Sequence, residues 1–174
     1  PEKGAATGRS FEVGTLKSWN QTFKQVSLKN IIRLIYRSIN DVKQYSIIPT
    51  YSQLLDKIRD GSWYLSSPQE LFDIWQQQGV LMLNTWFTVK PGQPASHRAL
   101  WQPFSEKLLN YLGEKRPDLI WFLWGKHSVS CKSFILNGFF FESRHPMMCS
   151  ERFTDDFLKS DCFEKTKHLI NWTG

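Results

Sequence analysis

The sequence predicts an α/β domain with a short parallel central sheet between helical layers, and three observations carry that prediction. Leu119 to Trp124 and Gly138 to Ser143 are apolar or aromatic runs of strand length. A third run, Val80 to Leu83, follows Gly79 directly and is continuously apolar, as in a strand covered on both faces. Segments with helical spacing or helix-start signals separate these runs, and that alternation is the pattern of a three-layer α/β/α sandwich.

Taken in chain order, Ser27 to Ile39 has apolar residues at Leu28, Ile31, Ile32, Ile35 and Ile39, which is one-face helical spacing with Ser27 placed as N-cap. Its other face carries Lys29, Arg33 and Arg37. Tyr45 to Leu65 is mixed, with a short helix over Ser52 to Arg59 and a loop at Gly61. Ser67-Pro68-Gln69-Glu70 is a capping box with Pro at the first helical position, and the helix it opens stops at Gly79. Lys90 to His97, with two Pro and a Gly, is a loop. Further helices are expected over Pro103 to Leu112 and Lys126 to Leu136. No internal repeat, low-complexity tract or linker interrupts 1–174, so one domain is expected.

Composition narrows the class. With 41% hydrophobic and 22% charged residues, the chain has ordinary globular composition, which excludes disordered and collagen-like readings. No apolar run approaches the roughly 18 residues of a membrane span, and the N-terminus lacks a signal-peptide core. The expectation is an intracellular protein with no membrane partner, cytoplasmic in a bacterium and nuclear or in a viral factory otherwise. Cys131, Cys149 and Cys162 are odd in number and show no C-x-x-C spacing, so no metal or cofactor is expected. Residues 1–43 hold eight Lys/Arg against three acidic residues, a net of +5 out of the chain's +6. Such a block suits a polyanion such as nucleic acid, or forms a solvated face.

Three side chains stand where chemistry is expected. Asn84 closes the Val80 to Leu83 run, and its carboxamide offers a donor beside an acceptor, the pair needed to read a pyrimidine edge. Capping the loop backbone is the other reading. His145 follows the aromatic run Phe139 to Phe141, with Pro146 fixing the backbone beyond it. A neutral imidazole there can donate to a developing anion, or simply complete a turn. Phe11 lies among small residues in Gly8-Arg9-Ser10-Phe11, where a ring can stack on a base or pack in the core. His97, His127 and His168 show no ligand spacing and are read as surface or loop-bracing residues.

The order of these pieces resembles the uracil-DNA glycosylase family over nearly the whole chain. GAATGRSFEV is similar to the family's segment after its catalytic loop, and SLKNIIRLIY to its Ser-Leu-x-Asn-Ile helix start. QGVLMLNTWFTVKPGQPASH resembles the uracil-reading strand and loop, and IWFLWGK the Leu-Trp-Gly strand end. SRHPMMCSERF resembles the minor-groove loop, and INW the closing Ile-Asp-Trp. The resemblance implies a uracil-DNA glycosylase-like fold lacking its first strand, with Pro1 aligning just after the Gln-Asp-Pro-Tyr motif. By the same resemblance Phe11 stacks on uracil, Asn84 reads it, His145 is catalytic, and Ser27 binds phosphate.

The minor-groove loop departs from the family's His-Pro-Ser-Pro-Leu-Ser. Its DNA-binding residues become Pro146, Met147, Met148, Cys149 and Ser150, with Met147 in place of a phosphate-binding Ser and Cys149, helped by Met148, in place of the wedge. This change is expected to weigh more on duplex than on single-stranded substrates. Lys126 stands where a phosphate-contacting Ser is usual. The resemblance implies hydrolysis of the N-glycosidic bond of flipped-out deoxyuridine, leaving an abasic site, with the water-positioning Asp expected upstream of Pro1. The implied partners are uracil-containing DNA and an inhibitor or processivity protein, and the chain is expected to act as a monomer. A catalytically inactive relative that keeps only a DNA- or partner-binding surface is the rival reading, and an unrelated α/β nucleic-acid-binding protein the third.

Overall fold

The computed structural model describes residues 6–174, so the alignment expected for Pro1 lies outside the described residues. In chain order the elements are α1 (Val26–Ile39), α2 (Tyr51–Arg59), α3 (Pro68–Gln77), α4 (Arg98–Lys115), β1 (Ile120–Trp124), α5 (Lys126–Ser130), β2 (Phe139–Ser143) and α6 (Cys162–Thr166). The α/β class holds. β1 and β2 pair in parallel, with register running from Ile120↔Phe139 to Trp124↔Ser143.

Successive residues of a strand point to opposite faces, and here the two faces meet different layers. Phe122, Trp124 and Phe141 join the large core built on Ile31, Ile32, Leu34, Ile35, Leu71, Phe72 and Phe163. Trp121, Leu123 and Phe140 turn the other way, onto Leu109 of α4 with Cys131 and Ile135. Gly138 is required just ahead of β2, because a Cβ there would collide with the Trp121 ring.

The third expected strand is a correction. Val80 to Leu83 forms no strand. Among the described residues β1 is hydrogen-bonded to β2 alone, and an extended segment without a neighbour has no ladder to complete. The segment is tied instead by single bonds: Val80 N–H donates to Trp75 O at 2.9 Å, and Ser10 N–H to Met82 O at 3.0 Å.

Helix boundaries differ in three places. Gln25, not Ser27, is the N-cap of α1; Lys29 N–H already donates to Gln25 O at 3.3 Å, so Ser27 lies inside the first turn. α4 begins at Arg98 and runs through Pro103, which supplies no N–H to Ala99 O. The expected helix from Lys126 to Leu136 breaks into α5 and a 3-10 turn over Cys131–Phe134. There Ser130 Oγ donates to His127 O at 2.7 Å and Ser133 Oγ to Ser130 O at 3.0 Å, local bonds that compete with a helical ladder. The capping box at Ser67 and Glu70 forms as expected.

Candidate active site at the strand carboxyl ends

β1 and β2 end side by side, and ligands of open parallel sheets bind at such carboxyl ends. Gly125 follows β1 with φ 94°, and its N–H donates to Ser143 O at 2.8 Å. A Cβ on Gly125 would lie 3.0 Å from His145 Cβ. The Leu-Trp-Gly end therefore packs directly against the histidine that follows β2.

The third component arrives from the N-terminal loop. Phe11 holds φ 65°, a left-handed conformation costing a non-glycine residue roughly 1–2 kcal/mol. Its half-buried ring lies 5.9 Å from the His145 ring, tilted by 43°, and 5.5 Å from that of Trp124. Residues 11 and 145, separated by most of the chain, thus form one aromatic pair over the strand ends.

His145 is held in a defined protonation geometry. Met147 N–H donates to His145 Nδ1 at 3.1 Å, so that nitrogen carries no proton and the neutral ring bears its hydrogen on Nε2. Desolvation by its neighbours pushes the His145 pKa below the ordinary 6.5. Because the folded-state value is depressed, the stabilisation from the neutral ring is fully present above 6.5 and lost as pH falls through the folded value. The expected result is a His145 NMR titration midpoint below that of an unfolded reference, with stability falling as the solution is acidified through it. A midpoint above 6.5 would contradict the desolvated site.

The loop after His145 is anchored at both ends. Asn30 Nδ2, buried in α1, donates to Pro146 O at 2.6 Å, and Arg33 Nη1 donates to Asn30 Oδ1 at 3.0 Å. Buried Asp156 accepts from Ser150 N–H at 2.6 Å, Leu158 N–H at 2.9 Å and Tyr45 Oη at 3.0 Å. Between these anchors Met147 and Met148 are exposed. Cys149 is half-buried, and burial pushes its thiol up to about 12, so it stays protonated. Lys126, the first residue of α5, is exposed beside Gly125. Ser27 lies one turn before Asn30, which places the start of α1 near this loop.

Asn84 is exposed, and its side chain makes no hydrogen bond among the described residues. The capping reading is therefore not realised. The backbone around it is fixed by others: Ser10 N–H on Met82 O before it, and after it Thr85 Oγ1 at 2.8 Å from His127 Nε2, while Ser105 Oγ donates to Thr85 O. The Trp86 ring lies 4.7 Å from that of His127. His97 Nδ1 stands 2.8 Å from Thr88 Oγ1. His127 and His97 brace the loop, the role their lack of ligand spacing allowed.

Sequence reasoning missed Trp124, Asn30 and Asp156 as parts of the site. Asn30 left a signal, a polar residue on the apolar side of α1 between Leu28 and Ile31. Asp156 left only the signal of an Asp capping a short turn through Leu158 N–H; its bonds to Ser150 N–H and to Tyr45 Oη, 111 residues away, are not legible in the sequence.

The fold and site define an α/β protein in which an aromatic ring and a neutral imidazole meet over the strand ends, with an exposed carboxamide two residues beyond the Ser10–Met82 contact. No protein-family model matches the chain. It is 31% identical over 137 residues to the uracil-DNA glycosylase of Streptococcus pyogenes serotype M4, covering 76% of this chain and 60% of that one. With that of Anoxybacillus flavithermus it shares 35% identity over 103 residues, 58% of this chain and 45% of the relative. Among solved structures, mimivirus uracil-DNA glycosylase superposes with a TM-score of 0.63 at 20% identity, over 96% of this chain and 57% of that one. The chain belongs to the uracil-DNA glycosylase family, and spans about half the length of the curated relatives it matches.

Proposed function

We propose that the complete protein excises uracil from DNA, with Phe11 stacking on the flipped-out base, Asn84 reading its polar edge and His145 stabilising the departing anion. The observation that carries this reading is the Phe11–His145 pair, in which Nδ1 is committed to Met147 N–H and the proton of Nε2 is left to donate. A neutral donor at that position lowers the barrier as the glycosidic bond breaks toward an oxocarbenium-like sugar and a uracil anion. Water then adds to the sugar, leaving an abasic site.

DNA contacts extend from this centre over Ser27 in the first turn of α1, where backbone N–H groups suit phosphate, over Lys126, and over the loop Pro146, Met147, Met148, Cys149 and Ser150. Exposed Met147 and Met148, 56% and 65% accessible, supply an apolar wedge for the vacated base site. The protein acts as a monomer on uracil-containing DNA, and a protein inhibitor is the second kind of partner. A variant of the mimivirus enzyme has been solved in complex with UGI. The test is release of free uracil from a single-stranded oligonucleotide by the complete protein. Release at the rate of the protein-free control would end this reading.

A further inference from the structure

We propose that Arg9 is a positioning residue for base stacking, which with Glu12 clasps the loop on both sides of Phe11 and so holds that ring against His145. The proposal rests on reading Phe11 as the stacking ring.

A left-handed phenylalanine persists only where its surroundings over-determine the backbone. Arg9 supplies that constraint. Its Nε and Nη2 donate to the two carboxylate oxygens of Glu12, each at 2.7 Å, a two-pronged pairing that fixes orientation as well as distance. Its Nη1 reaches Asp73 at 2.8 Å and Gln76 at 3.2 Å on α3, so the clasp is attached to a helix of the main core. The Glu12 side chain is only 5% exposed, whereas Asp73 is 58% exposed. The Glu12 pairing is therefore the shielded one and carries most of the constraint. Between the two partners, Ser10 N–H donates to Met82 O, two residues before Asn84. One short loop thus sets both the ring and the approach to the carboxamide.

The test compares variants of the complete protein on a uracil-containing single strand and follows the His145 imidazole by NMR. Phe11→Ala is expected to lower kcat/KM about 10–100-fold, and Arg9→Leu about tenfold. In the Phe11→Ala background Arg9→Leu adds less than about twofold, because its effect runs through the ring. Both single variants raise the His145 titration midpoint toward 6.5, since the ring no longer desolvates it. Arg9→Lys, which keeps the charge without the fork, recovers part of each effect. Glu12→Gln moves the same readouts in the same direction, and it decides the matter if Arg9→Leu does not fold. Additive losses in the double variant, or an unmoved His145 midpoint with a normal melting curve, overturn the proposal. A wild-type protein that releases no uracil, yet shows these shifts in midpoint, sinks the functional reading and leaves the clasp standing.

Discussion

Replacing His145 with Leu in the complete protein is expected, on the proposed function, to lower uracil release about 10²–10³-fold, as when one preorganised donor to a developing anion is removed. The ring is desolvated on one side only and its other side is exposed, so stability changes little, with a melting temperature within about 2 °C of wild type. Leu removes two things at once, the Nε2 donor and the Nδ1 acceptor that holds Met147 N–H. His145→Asn separates them: its carboxamide oxygen can take the place of Nδ1, but it reaches no farther. If Asn is as slow as Leu, the loss belongs to Nε2. Leu and wild-type proteins releasing uracil equally fast would remove His145 from the chemistry.

Phe157→Ala gives the largest expected loss of stability. Phe157 is fully buried in the core beneath the site, with its ring 5.1 Å from that of Trp124 at 83°. Truncating such a ring costs about 3–5 kcal/mol, through lost transfer energy and the cavity left behind. For a chain of this size that lowers the melting temperature by roughly 6–20 °C. Trp124 also supports Phe11, so uracil release at low temperature, where the variant is still folded, falls as well. Calorimetry checks the first effect; a drop under about 3 °C would mean the core closes around the gap.

Much of the fold can be read along the chain wherever the determining interactions are local. The capping box at Ser67 and Glu70 and the apolar stripe of α1 depend on residues three or four apart, and both formed as the spacing predicts. The runs that became β1 and β2 were also legible, β1 as a continuous apolar and aromatic run and β2 as an aromatic run between Gly138 and Ser143, although Phe139 and Glu142 of β2 remain exposed. Val80 to Leu83 has the same apolar signature, yet forms no strand. A strand exists only through its neighbour, and apolar content does not report whether one is there. The breakdown of the helix after Lys126 has a local cause, serine side chains bonding to nearby carbonyls, but a serine can equally point to solvent, and the sequence does not say which it does.

For the site, the sequence alone determined the candidate chemistry. It marked an aromatic ring at Phe11, a carboxamide at Asn84 and an imidazole at His145, and the order that ties them to one family. What only the tertiary structure decided is their arrangement. The parallel pairing of β1 with β2 brings Gly125 against His145, and a left-handed turn brings Phe11 to within 5.9 Å of it. The tautomer of His145 is settled by a backbone N–H two residues away, whose direction depends on how Asn30 and Asp156 anchor the loop. Residue type fixes what a side chain can donate or accept; long-range contacts fix where it does so, because they depend on packing between segments that no local pattern encodes.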